Sequence, residues 1–203
     1  MVPELVPDLH HHLHRGAPDR AGCPRGCRAD LFALYAFNVE LARIAEQVSE
    51  PGLGAIRLQW WREAVERAAK GEAAGHPVAD AIGATLKRRG LTRRRVEALI
   101  DARSFDVETK IMPDWASLEV YLADTAGALF ALGAECLGAR SPSLEPASSQ
   151  AGLAFGLTGL MRALPVHAAS GRVDLPADAL IRHGTSPESV LAGRPSEGVS
   201  AVL

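Results

Sequence analysis

Glu40, Glu46, Glu50, Asp106 and Glu108 are among the side chains of this 203-residue sequence that could present oxygen to a hard divalent ion from helical segments. Such an ion, Mg²⁺ above all, takes carboxylate oxygen in preference to imidazole, and two carboxylates four residues apart on a helix share the face that would hold it. Glu40 and Glu46 lie about 240° apart around a helix of 3.6 residues per turn, so these two do not form one clamp. The plain alternative for each acid is a solvated surface position. A second cluster, His10, His11, His12 and His14, could bind a soft divalent ion, but no cysteine or carboxylate stands near it at ligand spacing, and it reads as an unstructured leader. Cys23 and Cys27 in the peptide CPRGC, with Cys136, make an odd count that predicts free thiols in a reducing compartment.

The elements that must position these groups are helices. Leu31, Leu34, Tyr35, Leu41, Ala42, Ala45 and Val48 recur at three- and four-residue steps, which predicts one helix from about Leu31 to Glu46, ended by Pro51-Gly52. A second is expected over Leu53 to Lys70, with Ile56, Trp60, Ala64 and Arg67 on its stripe and Gly71 as its stop. His76-Pro77 opens a third that Gly90 closes, and Thr92 to Lys110 gives a fourth. Ser117 to Gly138 reads as a fifth helix, whose Thr125-Ala126-Gly127-Ala128 stretch suits close helix contact, and Arg140–Pro146 as a linker. A sixth runs from Ser148 to His167, with a kink expected at Pro165, followed by the loop Gly171–Pro176, a short helical piece over Ala177–His183 and a glycine- and serine-rich tail. No β-alternation and no internal repeat is present, so pattern alone gives an all-α bundle.

Bulk properties fit one globular domain: 47% hydrophobic and 23% charged residues. The formal net charge of −2 provides no global field toward nucleic acid, although local basic patches are compatible with it. No uncharged apolar run is long enough to span a bilayer. These features place the protein in the cytoplasm, with at most peripheral contact at the inner face of the membrane.

Leu31–Glu46 (LFALYAFNVELARIAE) and Leu157–Pro176 (LTGLMRALPVHAASGRVDLP), with LQWWRE around Trp60-Trp61, resemble the squalene/phytoene synthase family and its "LYAFCR…DDxxD", "LxWWRxE" and "LTNILRDVxEDxxxGRVYLP" segments. The match covers about Ala29 to Pro176, in family order. It implies an all-α, single-domain helical bundle of the isoprenoid (prenyl) synthase type over residues 29–203, a partial domain incomplete at both ends; residues 1–28, with Pro3, Pro7, Pro18 and Pro24 and no helical period, read as an irregular N-terminal arm. In the family, two aspartate-rich helices face each other across a cavity and hold Mg²⁺ on the substrate diphosphate. At those aspartate positions this chain carries Ala42, Arg43 and Glu46, then Ala163 and His167. The match also implies that Tyr35, Asn38, Glu46, Asp106, Arg162, His167 and Arg172 line the cavity or hold a ligand there, with either arginine able to hold an anion or, for Arg162, to pair with Glu46 or cap a carbonyl. Asp174 stands where the family's loop has tyrosine.

FALYAFNVELA, VSEP, LQWWRE and GLMRALPVHAA resemble the aspartate-poor branch of the family that includes complex I assembly factors. The expectation is therefore a protein without prenyl transfer, without metal or cofactor, that acts on a protein partner in respiratory complex assembly. Two alternatives stand beside it. One is an active head-to-head prenyltransferase making squalene or phytoene, for which Mg²⁺ would be needed. The other is a non-catalytic carrier of an isoprenoid or lipid ligand.

Overall fold

The structure is a computed structural model that describes residues 26–48, 50–194 and 197–203, so the histidine stretch and Cys23 lie outside the described residues. The first helix, α1 (Cys27–Ala42), begins two residues inside the segment expected to be irregular, with Cys27 fully buried. Cys27 is disulfide-bonded, which corrects the free-thiol reading; Cys136 is the free cysteine among the described residues. Arg43 interrupts the expected single helix, and the chain resumes as α2 (Ile44–Gln47). The buried face of this stretch is Leu34, Phe37, Leu41 and Ile44, which leaves Tyr35 half exposed.

α3 (Pro51–Lys70) carries proline in its first turn, where no intrahelical donor is lost, and stops at Gly71, whose φ of 92° suits a residue without Cβ. Its buried stripe is Leu58, Trp61, Ala64, Val65 and Ala68, so the expected stripe through Ile56, Trp60 and Arg67 is rotated away from the core. Close backbone approach sets that rotation. A Cβ on Gly54 would stand 2.4 Å from the Val107 side chain, and one on Gly83 would stand 2.3 Å from Ala68. Trp61 thereby enters the core against Phe37, and Trp60 packs edge-on over Trp61 and His76 at the surface.

α4 (Pro77–Arg89) ends at Gly90 as its sequence predicts, and α5 (Arg93–Glu108) follows. The expected fifth helix is two helices joined by a π-turn: α6 (Trp115–Leu122), Ala123–Gly127 and α7 (Ala128–Cys136). Asp114 caps α6 by accepting from the Ser117 backbone N–H at 2.8 Å. The small-residue stretch does make the close contact expected of it, because a Cβ on Gly152 would lie 2.3 Å from the Gly127 nitrogen. Gly152 belongs to α8 (Leu144–Ala169), which starts four residues before Ser148 and runs through Pro165 without ending there. The short helical piece expected over Ala177–His183 is α9 (Ala177–Arg182), and the glycine- and serine-rich tail beyond it holds α10 (Pro187–Leu191) and α11 (Glu197–Val202).

Among the described residues there is no strand, only a parallel bridge between Ile111 and Val173, and no helix is long and apolar enough to cross a membrane. The all-α reading holds. The main core unites α1, α3, α4, α5 and α7, and a second cluster of Met112, Leu118, Tyr121 and Leu122 packs against Leu153, Leu157 and Leu160 of α8.

Candidate functional site

Three local devices bring charged side chains together where α1, α5, α6 and the loop after α8 meet. On α5, Arg103 and Asp106 are three residues apart and so share a face, which lets an Arg103 Nη1 proton reach Asp106 Oδ2 at 3.0 Å. At the end of α8, Gly171 adopts φ 81°, and the Gly171 and Arg172 amides bond back to the Ala168 and His167 carbonyls at 3.0 and 2.9 Å, the pairing of a Schellman cap. The chain then runs extended. Val173 donates to the Lys110 carbonyl at 2.7 Å and accepts from Met112 at 2.9 Å, while successive side chains alternate in direction. Val173 is buried in the tail cluster, and Arg172 and Asp174 turn together toward α5 and α6.

The result is one continuous network. Tyr121 Oη donates to Asp106 Oδ1 at 2.9 Å, and Arg172 Nη2 stands 2.9 Å from the same oxygen. Arg172 Nε donates to Asp174 Oδ1 at 2.6 Å, and the other Asp174 oxygen meets His167 Nδ1. On the far side Arg103 donates to Tyr121 Oη at 3.1 Å and to Asn38 Oδ1 at 3.0 Å. The two carboxylates are 2–3% exposed, and two guanidiniums balance them, so the network is close to electrically neutral apart from His167.

Burial acts first on each group's proton affinity. It pushes the Tyr121 phenol up to about 12, with the Asp106 charge adding to the effect and the two arginines opposing it. For Asp174 burial favours the neutral acid, but the His167 hydrogen bond and the Arg172 guanidinium outweigh it and hold the carboxyl below the usual carboxylate range. For Arg172 burial favours proton loss, and Asp106, Tyr121 and Asp174 reverse this, so its charge is fixed.

The structure brings together Asn38, Asp106, His167 and Arg172 of the residues expected to line a cavity. It does not bring in the others. Tyr35, Arg43, Glu46 and Arg162 are exposed, Ala42 and Ala163 are half-buried, and no ion pair joins Arg162 to Glu46. Asn38 finds its partner in a guanidinium rather than in the backbone. Arg103 and Tyr121 were missed by sequence reasoning, although a buried Asp106 demands a countercharge and Arg103 is three residues away on the same helix face. Asp174 was read only as a lost tyrosine, whereas it is the acid that holds both His167 and Arg172.

Mg²⁺ does not fit this donor set. Glu46 is exposed and takes no part in the network, His167 is engaged by Asp174, and Asp106 already accepts from Tyr121 and two arginines. Among the described residues no group of three or more histidine, cysteine or acidic side chains is placed to hold a metal ion. A surface cleft of about 490 Å³ between α3, α4 and α5, floored by Val65, Leu86, Val96 and Ile100, lies apart from the network. Arg62–Asp101, Arg93–Glu66 and Arg93–Glu97 pair most of its rim charges, while Lys87 stands on the same rim without an ion-pair partner.

The squalene/phytoene synthase family model matches residues 21–203. The NADH dehydrogenase (ubiquinone) complex I assembly factor 6 of Rattus norvegicus is 35% identical over 180 residues, which cover 89% of this chain and 54% of that protein. The presqualene diphosphate synthase of Rhodopseudomonas palustris is 30% identical over 184 residues, 89% of this chain and 65% of its own. The chain thus spans about half the length of the assembly factors it matches. Among solved structures, the squalene synthase HpnC from Alicyclobacillus acidocaldarius superposes with a TM-score of 0.78 at 22% identity, covering 88% of this chain and 67% of that one. A dehydrosqualene synthase in complex with ligand gives 0.73 at 16% identity, covering 89% of this chain and 62% of that one. Both likenesses concern the fold.

Proposed function

The chain belongs to the squalene/phytoene synthase family, and from that premise we propose that it acts by binding, without prenyl transfer, in the assembly of respiratory complex I. The observation that carries this reading is the state of the positions where the family holds metal: Ala42 and Ala163 offer no ligand, Arg43 brings the wrong charge, and His167 is bonded to Asp174. A leaving diphosphate must be neutralised as the bond to carbon breaks, and a divalent ion held by carboxylates is the usual means. Arg103 and Arg172 do not replace it, because each is already matched to a buried aspartate. Similarity to complex I assembly factor 6 supports the assembly part of this reading.

Incubating the purified protein with farnesyl or geranylgeranyl diphosphate and Mg²⁺, and measuring released diphosphate, tests the first half. Release no greater than in a protein-free control is expected; Mg²⁺-dependent release above it would favour the transferase reading, which the similarity to presqualene diphosphate synthase keeps in view. For the second half, cells lacking the protein are expected to assemble less NADH-oxidising complex in their membranes and to recover it on resupply. Unchanged assembly would remove the assembly role while leaving the absence of transfer intact.

The carrier reading is favoured by the apolar side chains exposed on α1 and α8, where Tyr35, Val39, Phe155, Met161 and Val166 reach solvent. Thermal stabilisation by uncharged prenols, absent with short polar alcohols, would support it; equal melting with and without prenol would exclude it.

A further inference from the structure

The α4–α5 turn is the most basic part of the chain. Between Lys87 and Arg95, six of nine residues are basic, out of 22 lysines and arginines in all. Several elements end here together. The first turn of α1 joins through Asp30, which accepts from both Arg88 and Arg89, and the α7–α8 turn joins through Arg140, which donates to the Arg89 carbonyl at 2.6 Å. The start of α8 is tied in by Arg95, which bonds Glu145 as well as Glu135 of α7.

Internal pairing uses only part of this charge. Arg88 and Arg89 are matched to Asp30, Arg93 to Glu66 and Glu97, and Arg95 to Glu135 and Glu145. Four cations of the same bundle end have no carboxylate within ion-pair distance among the described residues. Lys87 and Arg94 are exposed without a hydrogen-bond partner, Arg28 lies over the Phe32 ring, and Arg140 reaches only backbone carbonyls. Among the described residues, unpaired positive charge is therefore concentrated at this end, although the formal net charge of the sequence is −2.

We infer that this end of the bundle, centred on Lys87 and Arg94 with Arg28, Arg140 and the exposed Leu137 beside them, docks on an anionic lipid surface. Two features favour a fluid lipid surface over an acidic protein. The unpaired cations come from four separate elements, α1, α4, α5 and the α7–α8 turn, and Lys87 lines the cleft between α3, α4 and α5 whereas Arg94 lines a different one beside α7 and α8, so they do not converge on one cleft that would grip an acidic segment. Lipid headgroups can redistribute to meet such scattered charges. Leu137, about half exposed beside Arg140, adds an apolar side chain that can enter the headgroup layer while the neighbouring arginine stays in contact with phosphate. No helix among the described residues is long and apolar enough to cross a membrane. Asp106 and Arg103 lie toward the opposite end of α5, so docking here leaves the buried network untouched.

Sedimentation with vesicles of phosphatidylcholine alone, and of equal parts phosphatidylcholine and phosphatidylglycerol, provides the test. The protein should bind the anionic vesicles, bind the neutral ones little, and lose binding as salt is raised. Lys87→Gln and Arg94→Gln should each weaken binding about five-fold, as expected from roughly 1 kcal/mol per basic residue near such a surface. Both side chains are exposed and neither makes a hydrogen bond or ion pair among the described residues, and Asp124, whose charge Arg94 feels, lies beyond ion-pair distance, so the melting temperature should change little. Equal binding to both vesicle types, or binding that the double variant leaves intact, would overturn the inference. So would capture by polyglutamate in the absence of any vesicle binding, which would assign the patch to an acidic protein.

Discussion

Arg172 Nη2 and Asp106 Oδ1 stand 2.9 Å apart, and this pair ties the loop that leaves α8 to the C-terminal part of α5. Neither residue is near the other in sequence. Their contact depends on the Schellman cap at Gly171 and on the Ile111–Val173 bridge.

Asp106→Ala should destabilise the fold by about 3–5 kcal/mol in urea unfolding, because it leaves Arg103 and Arg172 facing each other with little solvent to screen them. Replacing Asp106 by Asn and Arg172 by Met together should cost less than the two single changes added. Additive losses would show that the pair is not coupled.

Stability should also fall in acid through Asp174. Its folded-state affinity for a proton is lowered, so its contribution is fully present above the ordinary carboxylate value of about 3.9 and is lost as pH falls through the lower folded value. Asp174→Asn should flatten this part of the stability profile. An acid limb of unchanged slope in that variant would place its origin elsewhere.

Tyr121 has the opposite sign. Its folded value is raised to about 12, so the stability it contributes is complete below the unfolded value of about 10 and disappears as pH rises toward 12. Comparing alkaline unfolding of the wild type with Tyr121→Phe measures this, and the variant should lose stability less steeply above pH ~10.

Two glycines of α8 should respond in opposite directions to the same substitution. Gly152→Ala drives a methyl group into the Gly127 backbone of the π-turn at 2.3–2.4 Å and should cost at least about 1–3 kcal/mol, since backbone rather than a flexible side chain must move. Gly159→Ala meets nothing within 4 Å on an exposed helical position and should stabilise by about 0.5–1 kcal/mol. Thermal melts of both variants suffice, and similar shifts would contradict the packing described at Gly127.

Helix ends were legible where proline or glycine marks them: Gly71 and Gly90 have the positive φ that a C-terminal stop requires, and Pro77 opens α4. The face each helix buries was harder to read. On α3 the tandem Trp60-Trp61 gives hydrophobic periodicity two nearly equal answers, and Gly54 and Gly83, which select Trp61, contribute no hydrophobic signal of their own. The π-turn was hidden for a related reason, because one added residue within a helix leaves composition unchanged. Of the network, Asp106, His167 and Arg172 were reachable through family resemblance. Tyr121 and Arg103 belong to no motif, and their role follows from the burial of an aspartate that only the folded chain displays.

The network's contacts also have an order in time. Arg172 reaches Tyr121 across 51 residues of chain and Arg103 reaches Asn38 across 65, so these bonds form only after long loops have closed, whereas each helix can begin from local contacts. The charged junction should therefore be a late step of folding and an early site of opening. Native-state hydrogen exchange at the Val173 amide, held by Lys110, should then show a lower opening free energy than amides in the middle of α3. Equal protection would make the junction part of the globally cooperative core.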